Sequence, residues 1–137
     1  MTRRSPRCCP AFRAYARRVT VRHLLTHTSE LLDYEDLTDA LERAGGPIYS
    51  ADRQIQDHEV LKLLQQQPRL RFPPGTKWAY SNSGYVVLGL IVSKISGEPF
   101  AQFLSERIFK LLGMRDTLVY VHGQYSVSRR VFGVANA

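Results

Sequence analysis

Apolar positions recur along the chain in short stripes, and residues that start or stop helices separate them. Thr20 precedes "VRHLLTH", in which Val21, Leu24 and Leu25 share one helical face, so Thr20 is the expected N-cap of a brief helix. In "TSELLDYEDLTDALERAGG" polar residues surround Leu31, Leu32, Leu37 and Leu41, and Gly45-Gly46-Pro47 is a strong stop, which predicts a loop followed by a helix. Asp57 is the expected N-cap of "HEVLKLLQQQ", where Val60, Leu61 and Leu64 form the stripe and Pro68 ends it.

The texture then changes. "PRLRFPPGTKWAYSN" is rich in proline, and Pro74-Gly75 suits a type II turn, with proline setting φ at its second position and glycine supplying φ > 0 at its third. Ser83 is the expected cap of a helix running from Gly84 to about Ser96. Its Val86, Val87, Leu88, Leu90, Ile91, Val92 and Ile95 are apolar on nearly every face, as in a helix buried all round. Gly89 within it suggests close backbone packing. Pro99 suits the first position of the next helix, where Phe100, Phe103, Leu104, Ile108, Leu111 and Leu112 trace the 3.6 period until Gly113. "DTLVYVHG" alternates weakly and reads as one strand.

With 137 residues and 44% hydrophobic content, one domain is expected, able to bury roughly 65 to 70% of its unfolded surface. The longest apolar run, "GYVVLGLIV", is too short for a transmembrane helix, so the chain reads as soluble; no signal peptide is recognisable, which leaves the compartment open, cytoplasmic as encoded. The net charge of +7 is concentrated in an arm: seven arginines fall in residues 1–22, and no acid precedes Glu30. Residues 1–18 therefore read as a basic, disordered arm and 19–137 as the domain. The arm could contact phosphates, but only Phe12 and Tyr15 offer stacking rings, so a solvated tail is the simpler reading and nucleic acid is not the expected partner. Cys8 and Cys9 are adjacent, which excludes a framework of long-range disulfides.

Candidate chemistry is concentrated in "KWAYSNSGY". Tyr80, two residues before Asn82, could be a proton-transfer device. The plainer alternative is that Tyr80 packs its ring while Asn82 and Ser83 start the buried helix. A tyrosine acting as a base needs positive charge beside its phenolate. Lys77 is close in sequence but lies in a turn-rich loop and reads as solvated. His23 and His27 have the i, i+4 spacing of a metal pair, yet Leu24 follows the first histidine and no third ligand is evident. They read instead as locally hydrogen-bonded histidines, with His58 and His122 isolated at the surface. No metal and no cofactor are expected.

Taken together, "VTVRHLLTHTSELLDYEDL" and "RFPPGTKWAYSNSGYVVLGLIVSKISGEPFAQFLSERIFKLLGMRDTLVY" resemble the serine β-lactamase-like family, which includes class C β-lactamases, penicillin-binding DD-peptidases and related esterases. The resemblance spans about residues 19–134. It implies the helical lobe of an α+β fold, mainly α, with one or two short strands near the C-terminus. It also implies acyl transfer to water through an active-site serine, with a small acyl compound as substrate. In that family a Tyr-x-Asn motif lines the pocket. By resemblance, Tyr80 shares protons with the nucleophile and its lysine, and Asn82 holds the substrate side chain and orients that lysine.

Three departures qualify the likeness. None of the ten serines, Ser5, Ser29, Ser50, Ser81, Ser83, Ser93, Ser96, Ser105, Ser126 and Ser128, has a lysine three positions later, so the Ser-x-x-Lys nucleophile motif is absent, as is the downstream Lys-Thr-Gly or His-x-Gly strand. Glu30 stands where the family has the glycine of "HTSGL", and a glycine there implies φ > 0, which glutamate adopts reluctantly. The expectation is a partial hydrolase domain, inert by itself. The alternative is a noncatalytic module that docks a partner or self-associates through exposed apolar surface.

Overall fold

The computed structural model describes residues 18–50, 53–67 and 72–121, and this region is helical with no strand among the described residues. Five α-helices follow in order: α1 (Val21–Leu25), α2 (Tyr34–Arg43), α3 (Asp57–Gln66), α4 (Asn82–Ser96) and α5 (Phe100–Leu104). A π-helical turn, Ser105–Phe109, continues α5. The expected single C-terminal strand does not form over 116–121, and its remainder lies outside the described residues. The same holds for nearly all of the basic arm, with Cys8 and Cys9, and for Pro68 and His122.

Helix α4 is the centre of the packing: α1, α2, α3 and α5 all touch it. Val87 and Ile91 of α4 meet Leu24 of α1, Val60 and Leu64 of α3, and Val19 and Leu31 from the flanking loops. Tyr34, Leu37, Ile55, Val86 and Leu88 close around this cluster. On α3 the buried stripe is Val60, Leu63 and Leu64, so Leu63 takes the place expected of Leu61. The i, i+3, i+4 geometry allows either choice, and tertiary packing selects one.

The ends of the helices differ in detail from the sequence expectation. Thr20 caps α1 as expected: its Oγ1 accepts the His23 N–H at 3.2 Å, and His23 Nδ1 accepts the Thr20 N–H at 3.3 Å. Asp57 lies one residue inside α3, whose cap residue is Gln56, with the Gln56 N–H donating to the Glu59 carboxylate at 2.9 Å. Pro99 is likewise the cap of α5 rather than its first residue. Ser83 is inside α4 and fully buried, and its hydroxyl has no hydrogen-bond partner, so it does not cap the helix.

Helix α4 is not buried all round. Tyr85 and Ile95 are exposed, at 52% and 66%. Nor does Gly89 admit a neighbouring backbone. The ring of Phe100 lies over it at ordinary contact distance, while Gly84 is the glycine that faces the α1 backbone at Leu24. Gly97, at φ 76°, ends α4 in the left-handed region, and the chain bends by 79° into α5. The periodic run from Phe100 to Leu112 does not form one α-helix. After Leu104 it widens into the π-turn, closed by Lys110 N–H to Ser105 O at 3.0 Å. Among the described residues no single helix is long and apolar enough to cross a membrane.

Candidate functional site

The site is assembled where the α1–α2 loop and the α3–α4 loop meet the N-terminus of α4. Pro74-Gly75 forms the expected turn: Gly75 has φ 85°, and the Thr76 N–H donates to Pro73 O at 3.2 Å. The Gly75 N–H donates to Thr28 O at 2.8 Å and the Ala79 N–H to His27 O at 2.9 Å, so this loop is tied to the segment after α1 at two points. These bonds fix the path of the chain through Tyr80 and Asn82.

Tyr80 and Asn82 are brought together. The Tyr80 hydroxyl donates to Asn82 Oδ1 at 2.9 Å, and the Tyr80 ring lies against the His27 imidazole with centroids 4.6 Å apart. Tyr85 and Trp78 flank the same imidazole at 5.3 and 6.2 Å. His27 Nδ1 accepts the Ser81 N–H at 3.3 Å. Tyr80 is 59% exposed, so its hydroxyl is reachable from solvent while one face of its ring is supported.

Asn82 is held from behind by Asp33. Asp33 Oδ2 accepts both the Asn82 backbone N–H at 2.8 Å and the Asn82 side-chain amide at 3.2 Å, while Asp33 Oδ1 accepts the Glu35 N–H at 3.0 Å. One carboxylate thus caps the N-termini of α2 and α4 at once. A negative charge between two helix N-termini is well placed for both macrodipoles. Tyr34, beside it, has its phenol pushed up from the ordinary range, first by burial and then by the Glu35 and Asp33 carboxylates.

His23 serves local structure as expected, whereas the His27 side chain makes its hydrogen bond 54 residues along the chain. His23 closes the cap of α1, and His27 supports Tyr80 and the Ser81 amide. No cluster of three metal-binding side chains occurs among the described residues. Lys77 is exposed, its ammonium 5.9 Å from the centroid of the Phe72 ring. Glu30 is buried and has φ 71°, so glutamate occupies the left-handed conformation that its position had suggested. Sequence reasoning missed Asp33 and the ring-supporting role of His27. The residue before "YEDL" carries the local signature of an N-cap, but its second partner lies 49 residues away, where no local pattern points.

Comparison with known proteins agrees with this architecture. The profile of the Beta-lactamase family matches residues 5–124, and the chain belongs to that family. It is 36% identical to a penicillin-binding protein of Bacillus subtilis (strain 168) over 103 residues, which is 74% of this chain and 21% of that protein. It is 37% identical to esterase EstB of Burkholderia gladioli over 100 residues, 72% of this chain and 25% of the esterase. Among solved structures, D-amino acid amidase from Ochrobactrum anthropi SV3, complexed with D-phenylalanine, superimposes with a TM-score of 0.66 at 32% identity, covering 88% of this chain and 37% of the amidase. The chain therefore spans about a fifth to a quarter of the length of these curated relatives.

Proposed function

We propose that this chain supplies the Tyr-x-Asn side of a β-lactamase-related serine hydrolase site, with Tyr80 as proton-transfer group and Asn82 as substrate-holding amide. In this reading residues 19–137 form a partial hydrolase domain. The reaction is acyl transfer to water on a β-lactam, a D-amino peptide or an ester. The observation that carries the reading is the 2.9 Å hydrogen bond from the Tyr80 hydroxyl to Asn82, at the rigid N-terminus of α4 in a chain of this family. The residue types suit the role, since a supported phenol can donate or receive a proton and an amide can hold a substrate carbonyl or N–H.

Alone, the chain is expected to be inert, because no serine in it is followed by lysine three positions later. Losing a nucleophile that acts as a unit with its base removes several powers of ten in rate. Incubation with a fluorescent penicillin and with an activated ester, followed by intact mass measurement, is expected to show no acyl adduct. A stoichiometric adduct on a serine would overturn the inert reading. For the roles of Tyr80 and Asn82, the full chain is grafted in place of the matching region of the D-amino acid amidase. In an active chimera, Tyr80→Phe is expected to lower kcat/KM about 100-fold or more, and an unchanged value would remove Tyr80 from the chemistry.

A noncatalytic, self-associating module is the second reading. It is favoured by Leu111 and Leu112, which are 76% and 70% exposed beside the also exposed Met114 and Leu118. Concentration-dependent assembly without an adduct would support it.

A further inference from the structure

Asp33 lies within a stretch that carries the resemblance but receives no role from it, and it reaches the candidate site through Asn82. The side-chain amide of Asn82 has a donor end and an acceptor end of nearly equal shape, and exchanging them would reverse what it offers to Tyr80. An ionised carboxylate only accepts hydrogen bonds. With Asp33 Oδ2 at 3.2 Å from Asn82 Nδ2, the flipped amide would bring two oxygens together instead. The donor end is therefore turned to Asp33, and the acceptor end is left for the Tyr80 hydroxyl at 2.9 Å.

We infer that Asp33 is a positioning residue for the Tyr80–Asn82 pair: its carboxylate sets the orientation of the Asn82 amide, and through it the direction of the Tyr80 hydroxyl proton. The significance for chemistry rests on the reading of Tyr80 and Asn82 given above, but the orientation itself is measurable without turnover. With its proton directed to Asn82 Oδ1 and its ring laid on His27, the Tyr80 oxygen keeps its lone pairs for a further group.

A purely structural cap of α2 needs one acceptor oxygen, whereas the proposed role needs two. Asp33→Ser keeps an oxygen suited to cap α2 through the Glu35 N–H and loses the oxygen that meets Asn82. Asp33→Asn keeps one acceptor and turns a donor toward another donor. The test is hydrogen exchange of the Asn82 side-chain amide in the 15N-labelled full chain, its signal assigned by disappearance in Asn82→Ala.

In wild type the Asn82 side-chain protons are expected to be protected. In Asp33→Ser they are expected to exchange about 10-fold faster or more, with the Glu35 backbone amide still protected. Equal protection in wild type and in a folded Asp33→Ser would overturn the inference. Tyr80→Phe, at an exposed ring, provides a readout that needs no change at Asp33. Protection of the Asn82 side chain is expected to persist in it, and loss of protection would mean that Tyr80, not Asp33, sets the amide. The catalytic reading fails separately, through an unchanged kcat/KM in the Tyr80→Phe chimera, which leaves these exchange rates unaffected.

Discussion

The two ends of α4 are secured in different ways. At its N-terminus Asp33 accepts the Asn82 amides, His27 accepts the Ser81 N–H, and the Ala79 and Gly75 amides reach back to the segment after α1, so loop, cap and aromatic ring interlock. Beyond its C-terminus the chain turns at Gly97, and α5 meets α4 through Phe100 over Gly89, while the exposed Lys110–Glu106 pair lies within the π-turn region itself and reaches no other element. Leu111, Leu112 and Leu118 find no cover there among the described residues. Both regions are rich in apolar residues, so hydrophobicity does not separate them. The N-terminal end has polar partners brought from distant segments, and those partners fix side-chain geometry.

The largest test of this contrast removes the core under the ordered end. Leu64 is 2% exposed and packs against α4, so Leu64→Ala is expected to cost about 2 to 5 kcal/mol in chemical denaturation. A loss well below 1 kcal/mol would mean that α3 does not brace α4.

Glu30→Gly sharpens the contrast from the other side, since it relieves a left-handed glutamate close to His27 and Asp33. It is expected to raise stability by about 1 kcal/mol, and a lower midpoint would show that the Glu30 side chain contributes more than its backbone costs. The smallest effect belongs to the C-terminal arm. The double change Leu111→Lys and Leu112→Lys should leave stability within about 0.5 kcal/mol, because neither side chain is buried. Any self-association seen by sedimentation should fall with it, and a large loss of stability would show that these leucines belong to the core.

Much of the fold was legible along the chain because the signals were local. The Thr20 cap, the Gly45-Gly46 stop, the Pro74-Gly75 turn and the existence of α1, α2 and α3 depend on residues a few positions apart, although Leu25 of the expected α1 stripe is exposed and Leu63 replaces Leu61 on α3. The start of α4 was misread because Ser83 has the chemistry of a cap, whereas the actual acceptor, Asp33, is the cap residue of α2, 49 positions away. The helix expected after Pro99 was overextended because a 3.6 period does not distinguish an α-helix from one that opens into a π-turn at Ser105. The candidate site was half visible: Tyr80 and Asn82 stood out through their resemblance, but His27 and Asp33 did not.

The sequence by itself determined where α1, α2 and α3 stand and the left-handed turns at Glu30 and Gly75, since these follow from backbone preferences and side chains within one turn of each other. It also determined that Tyr80 and Asn82 stand next to a helix start. Only the tertiary structure decided which way the Asn82 amide points, which ring supports Tyr80, and which face of α4 is left uncovered. Those outcomes depend on contacts between residues about fifty positions apart, and a hydrogen bond at that separation leaves no periodic trace in the chain.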